Sequence, residues 1–351
     1  MKNILRTGAI VLAALAAAGC CGNRGSQPYF TTRGIVLSWD DVKDPARIDW
    51  VAMADSANVN TLSIYCGEAT KQTPEYRAFL DRCARNGIYV EYQEHAMAEL
   101  LPRALYDGHP EYFRMDEQGN RVNDYNCCPS SAEALEIIAR NAKARAEKYP
   151  PTNHKYYFWL DDGGKRCFCD KCCNLNDSDQ ALLIENRIMA ALREVDDKAM
   201  LAHLSYQNTL EPPSTVKPAE GVFLEFAPFF RTWDRPLCER DARREGMPIT
   251  HGEYLDALEA NLKVFPAATA QVLEYWMDIS LVSDWKKPAK RLTWHGDVFR
   301  SDIDTYARLG IRSITAYAIY LDGDYAETYG DVSFVYDYGK ALYEYRAAES
   351  N

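Results

Sequence analysis

Two adjacent carboxylates, Asp161 and Asp162, followed by Gly163-Gly164, cut off an apolar aromatic run that begins at Tyr156. A buried parallel strand ending in acids at a glycine turn is how a barrel brings carboxylates to its mouth, where they can protonate a leaving oxygen or orient a substrate group. Neighbouring residues on an extended strand face opposite ways, so one aspartate can aim at a substrate while the other aims at a loop or a second substrate group. The competing reading is a helix N-cap beside a solvated acid. The cysteines supply a second chemistry. Cys167-x-Cys169-x-x-Cys172 has the spacing of three metal-binding thiolates, and Cys128, beside Cys127 in an earlier loop, could be the fourth. A structural zinc fits this pattern, and so do disulfides from Cys127 or Cys128 to Cys167 or Cys169. Either would stitch two loops together beside Asp162. Cys66, Cys83 and Cys238 read as ordinary semi-buried thiols.

Such residues need a scaffold, and the chain spells one out. Apolar β-branched or aromatic runs alternate with amphipathic helical patterns, as in repeated βα units. The predicted strands are Gly34 to Trp39, Thr61 to Cys66, Ile88 to Glu94, Tyr156 to Asp161, Met200 to Gln207, Gly221 to Pro228, Gln271 to Met277 and Ser313 to Leu321. Predicted helices include Pro45 to Ala57, Pro74 to Asn86, Ala132 to Tyr149, Asp179 to Val195, Tyr254 to Val264 and Asp297 to Leu309. Eight strands in this rhythm predict an α/β fold, a single (β/α)8 TIM-type barrel over residues 31–351. An open doubly wound sheet is the alternative, but no Gly-rich phosphate loop follows the first strand. Ser-His-Asp order, HExxH, P-loop and dinucleotide fingerprints are also missing.

In such a barrel the chemistry sits at the C-terminal strand ends. The residues falling there are Trp39 and Asp40, Tyr65, Glu94 and His95, Tyr206, Glu225, then Glu274, Trp276 and Asp278, and Tyr320. Aromatic rings stack on the apolar faces of sugars while carboxylates and amides take the hydroxyls, so the set suits a carbohydrate pocket. The long insertion from His95 to Ser131 offers His109, Tyr112, Arg114, Asp116 and Arg121 as further cleft walls or as a braced surface excursion. His95 and His295 lack the partner spacing of a metal site or triad and read as structural or hydrogen-bonding groups.

The first twenty residues read as a lipoprotein signal peptide. Lys2 and Arg6 precede an apolar stretch, Ala9 to Ala18, too short to span a bilayer, and Ala17-Ala18-Gly19-Cys20 resembles a lipobox with Cys20 as the lipidation site. Residues 21–30 form a tether. The expectation is a bacterial cell-envelope protein held to the membrane by its N-terminal lipid, on the outer membrane facing the periplasm or the surface. Removing the signal takes away two positive charges, so the formal charge moves from −11 to −13. Phosphate backbones need concentrated Lys and Arg, which argues against a nucleic-acid partner.

Asp161-Asp162 after an apolar strand resembles the paired acids of glycoside hydrolase families 84 and 20. A closer resemblance is to a barrel domain of unknown function, number 4838, related to those hydrolases. It is carried by His109-Pro110-Glu111-Tyr112-Phe113, Gly119-Asn120-Arg121, Cys128-Pro129-Ser130, Cys167-Phe168-Cys169-Asp170-Lys171-Cys172 and the helix around Asn186. That family often shows Asp-Asn where this chain has Asp-Asp. The resemblance implies substrate-assisted catalysis without a catalytic cofactor: Asp161 would polarise an acetamido group whose oxygen is the nucleophile, and Asp162 would be the general acid. A competing mechanism keeps Asp162 as acid and takes Glu225, Glu274 or Asp278 as a separate nucleophile or base. The expectation is a lipid-anchored glycoside hydrolase acting on oligosaccharides that can include N-acetylhexosaminides. The alternative is a glycan-binding lipoprotein that kept the barrel without the chemistry.

Overall fold

Nine short strands form one sheet in this computed structural model, which describes residues 27–124 and 126–346. Cys20, the signal peptide and most of the tether lie outside the described residues. The strands are β1 (Thr32–Ser38), β2 (Thr61–Tyr65), β3 (Tyr89–Glu91), β4 (Gln93–His95), β5 (Lys155–Trp159), β6 (Met200–Ser205), β7 (Val222–Phe226), β8 (Gln271–Glu274) and β9 (Ser313–Tyr317). They run in the order β3-β2-β1-β9-β8-β7-β6-β5-β4, and every pairing is parallel.

The two ends of that order are halves of one stave. Only Tyr92 separates β3, which pairs with β2, from β4, which pairs with β5, so the ring closes as eight staves. The strand expected at Ile88 to Glu94 is present but broken. Ser63 causes the break locally: its hydroxyl accepts from the Gln93 amide at 3.1 Å, replacing a ladder partner. The (β/α)8 expectation therefore holds, and the open sheet does not.

Helices cover the outside where the apolar periodicity placed them, several started by a side chain that accepts an otherwise orphaned amide. Thr73 caps Pro74–Arg85, Ser131 caps Ala132–Lys148 and Asn176 caps Asp177–Leu192. Thr250 and Glu253 form a capping box on His251–Asn261. After β9 the chain adds Gly323–Tyr329 and Ser333–Glu344, beyond the predicted elements. The second closes over β1: the Tyr338 hydroxyl donates to the Gly34 carbonyl at 2.7 Å. Among the described residues no helix is long and apolar enough to cross a membrane.

The barrel interior contains a polar layer. Glu91 accepts from Gln93, Tyr157 and Asn153; Gln271 accepts from Lys155 and Tyr157 and donates to Glu225 at 3.0 Å. Above that layer lies an apolar one that includes Val36, Trp159, Leu273 and Tyr275, and the mouth opens over it.

Candidate active site

A cavity of about 460 Å³ occupies the C-terminal mouth of the barrel. Seven of the eight staves line it directly, with strand parity deciding which residue each contributes, and β7 reaches it only through Phe229 in the loop that follows. Side chains alternate between interior and exterior along a strand. Ser38, Tyr65, His95, Trp159, Tyr275 and Tyr317 have interior parity and line the cavity. Their neighbours point outward into the helical layer.

This parity corrects part of the predicted rim. Trp39 packs on Tyr76 and Phe79, with ring centroids 5.3 and 6.0 Å away, and Asp40 is exposed and paired with Lys43. Glu94 faces helix Ala132–Lys148, where it pairs with Arg145, and Lys71 lies 3.8 Å away. Glu274 is fully buried among Arg231, Asp302 and the Tyr306 hydroxyl, and Trp276 donates from its indole to Asp302 at 2.9 Å. Glu225 has interior parity but lies one layer too deep, accepting from Trp159 Nε1 at 2.8 Å. Burial together with nearby Glu91 pushes its carboxyl up to about 8, so it is protonated at neutrality. Tyr320 stands beside the mouth, its hydroxyl donating to the Trp285 carbonyl at 3.1 Å. None of these seven lines the cavity.

Tyr65, His95, Tyr206, Asp162 and Asp278 do line it. Asp162 is exposed at the mouth, with Gln207 Nε2 at 3.4 Å and the Tyr206 ring beside it. Burial and the nearby Asp162 raise the Tyr206 phenol, so it stays a neutral donor. The Asp278 carboxylate caps the short helix Ile279–Val282 and accepts from the Ser280 hydroxyl at 2.6 Å; burial pushes it up to about 6. His95 donates from Nδ1 to the Leu160 carbonyl, which leaves Nε2 as its acceptor.

Asp161 takes the other direction. It lines a smaller adjoining cavity of about 60 Å³ that shares His95, Leu204 and Tyr206 with the larger one. Its Oδ2 is buried 3.8 Å from the Arg103 guanidinium, and burial pushes the carboxyl up to about 6 against that opposing charge. Its backbone amide donates to Asn126 Oδ1 at 3.2 Å. Gly163, at φ +67, turns the chain immediately after the two carboxylates.

Several cavity residues were not among those predicted. Tyr275 and Tyr317 stack at 5.1 Å, Tyr65 stacks on Tyr317 at 6.2 Å, and Phe229 meets Tyr275 edge-on at 5.1 Å. Trp285 stands 60% exposed at the mouth. Parity counted from any one fixed strand residue would have found Tyr275 and Tyr317; nothing local in the sequence marks Trp285 or Phe229.

The insertion residues are braces. His109 stacks on Tyr112 at 4.5 Å, Arg114 forks onto Asp124, Asp116 accepts from the Gln118 and Asn120 amides, and Arg121 donates to the Phe113 carbonyl. None of the five lines either cavity. Cys128, Cys167, Cys169 and Cys172 are buried free thiols whose sulfurs all lie within 4.8 Å of one another, a cluster able to hold a metal ion. Cys128 and Cys169 Sγ are 3.7 Å apart, well beyond the roughly 2.05 Å of a disulfide.

The class these features define is a TIM-type barrel with an aromatic, carboxylate-bearing cavity at its C-terminal mouth. The chain belongs to the family described as Domain of unknown function (DUF4838), whose model matches residues 26–319. A Glycoside Hydrolase Family 20 beta-N-Acetylglucosaminidase is similar in structure, with a TM-score of 0.50 at 11% identity over 91% of this chain and 70% of that one. An O-GlcNAc hydrolase mutant of Thermobaculum terrenum gives a TM-score of 0.49 at 11% identity over 90% of this chain, which spans 59% of that one. A chitinase from Chromobacterium violaceum gives 0.48 at 10% identity, covering 90% of this chain and all (100%) of that one. At these identities the likeness concerns the fold. A search of curated protein sequences finds no match.

Proposed function

We propose that this protein is a glycoside hydrolase acting on oligosaccharides, with Asp162 as the general acid. The observation that carries the reading is the placement of Asp162 at the mouth of a cavity walled by Tyr65, Tyr317, Tyr275 and Tyr206. Such a cavity offers ring faces for stacking and hydroxyls for polar contact, together with one accessible proton donor. The adjoining cavity, with room for a few water-sized groups, suits a small substituent such as an acetamido group, whose N–H would donate to Asp161. In that mechanism Asp162 protonates the glycosidic oxygen as the acetamido oxygen attacks the anomeric carbon. Water then opens the cyclic intermediate, giving its proton to Asp162.

The competing route through a separate carboxylate narrows to Asp278, since Glu225 and Glu274 stand away from the cavity. The same proposal assigns no cofactor to the chemistry, a structural zinc to the cysteine cluster, a carbohydrate rather than a nucleic acid as partner, and envelope attachment through lipid on Cys20.

Turnover of a panel of aryl and natural glycosides by wild type, Asp161→Asn and Asp162→Asn tests the proposal. Both substitutions are expected to lower kcat by about 10²- to 10⁴-fold. Asp162→Asn should harm natural leaving groups far more than aryl ones, which depart without protonation, whereas Asp161→Asn should harm both alike. Unchanged turnover in both variants would remove the assignment. Glycan binding without any cleavage by wild type would leave the non-catalytic binding protein in its place.

A further inference from the structure

We infer that zinc at Cys128, Cys167, Cys169 and Cys172 fixes the position of the Asp161–Gly164 turn, acting through Asn126. This rests on reading the cysteine cluster as a zinc site and the turn as the catalytic one.

The sulfur geometry fits a tetrahedral ion. Zinc–thiolate bonds of about 2.3 Å place tetrahedral ligands roughly 3.8 Å apart. Cys128 Sγ lies 3.7 Å from Cys169 Sγ and 4.0 Å from Cys172 Sγ. Donors stand around the sulfurs as an outer shell: the Met115 amide at 3.2 Å and an Arg121 guanidinium nitrogen at 3.9 Å both reach Cys167 Sγ, and the Ser130 hydroxyl is 3.1 Å from Cys128 Sγ. Gln180 pins the backbone of the loop, accepting from the Cys167 amide at 2.8 Å and donating to the carbonyls of Cys167 and Cys172.

One ligand comes from the loop after β4 and three from the loop after β5. Near this point the described residues of the first loop are held by the short turn Pro110–Tyr112 and the isolated bridges Phe113 to Cys127 and Met115 to Arg121. Two residues before Cys128, Asn126 accepts from the Asp161 amide, and its Nδ2 lies 2.3 Å from where a side chain on Gly164 would begin. The turn and the asparagine are therefore in tight contact, and the metal joins the two loops that carry them. Without an ion the cluster is four separate thiols, and the metal–sulfur bonds that tie the two loops together are gone.

The full-length protein should contain one zinc per chain by elemental analysis, and Cys169→Ser should lose it. Removal of zinc with a chelator should raise amide hydrogen exchange in residues 126–131 and 161–167 by roughly tenfold or more, while β7, β8 and β9 exchange as before. Asn126→Ala keeps every ligand, so it should retain the zinc yet show the faster exchange at 161–164. Absence of zinc from freshly purified protein overturns the site. Zinc that can be removed, or Asn126 that can be truncated, without any change at 161–164 overturns the coupling. Neither readout uses glycoside turnover, so a failed hydrolase assignment and a failed metal clamp are told apart.

Discussion

At the scale of single residues, Trp285 has the clearest signature of a surface held ready for a ligand. Asp284 and Trp285 both adopt left-handed backbone, at φ +53 and +54. Each such non-glycine conformation costs on the order of 1 kcal/mol and persists only where the surroundings enforce it. They do so here, because the Trp285 amide donates to the Ser280 carbonyl at 2.8 Å and Lys290 pairs with Asp284 at 2.7 Å. The result is an indole left 60% exposed beside a cavity instead of packed into the core. An exposed aromatic at a cavity mouth is a stacking platform for a sugar ring. Trp285→Ala is therefore expected to weaken oligosaccharide binding roughly three- to tenfold, while Trp285→Phe retains most of it. The thermal midpoint should hardly move, since the ring supports little packing. Calorimetric titration of wild type and both variants with a bound oligosaccharide checks this; equal affinity in all three would mean that the indole does not touch the ligand.

At the scale of elements, what the sequence revealed and what it hid have one physical explanation. All eight staves and the six named helices were legible because burial on both faces of a parallel strand, and on one face of a helix, writes itself into apolar runs. Parity was not legible in the same way. In a strand buried on both sides, polar and apolar residues fall on the interior and the exterior face alike, so Glu94, Glu274 and Trp276 looked as suitable for the rim as His95, Tyr275 and Tyr317. The loop-borne Trp285 depends on tertiary contacts that no local pattern records. Helix Ser333–Glu344, absent from the predicted elements, meets β1 through the Tyr338 hydroxyl and packs on the end of helix Trp50–Ser56 by close approach at Gly339. A Cβ there would sit 2.1 Å from the Ala57 carbonyl oxygen, a backbone atom with no freedom to swing aside. Gly339→Ala should accordingly destabilise the protein by about 1 to 3 kcal/mol, despite alanine's better helix propensity. Urea unfolding of the variant measures this, and a midpoint equal to or above wild type would show that the helix can shift at no cost.

At the scale of the whole molecule, several carboxyls keep their protons more tightly in the folded state than in the unfolded chain. Burial, and for Glu225 the neighbouring Glu91, raises Glu225 to about 8, while burial raises Asp41, Asp161 and Asp278 to about 6. Among the described residues the cation facing Glu91 and Glu225 in the barrel interior is Lys155, whose own charge burial disfavours, so a protonated carboxyl in that layer is the cheaper state. The sign follows from proton linkage. Between roughly pH 4 and 8 the native state binds more protons than the unfolded one, so these groups stabilise the fold most at the acidic end and lose that contribution as pH rises through 6 and then 8. Asp179 acts oppositely, held below its ordinary range despite burial by the Val216 and Thr215 amides, but its contribution is lost only at more acidic pH. Unfolding free energy is therefore expected to fall between pH 5 and pH 8.5 by on the order of a few kcal/mol. Glu225→Gln, which reproduces the protonated carboxyl, should remove about one proton's worth of slope from roughly pH 4.5 to 8, leaving the part due to the buried aspartates below about pH 6 and little slope above it. Urea titrations at half-unit pH steps with an unchanged m-value make the comparison. A wild-type stability that rises across this range, or a Glu225→Gln variant with the wild-type slope, would mean that the interior layer does not hold its proton.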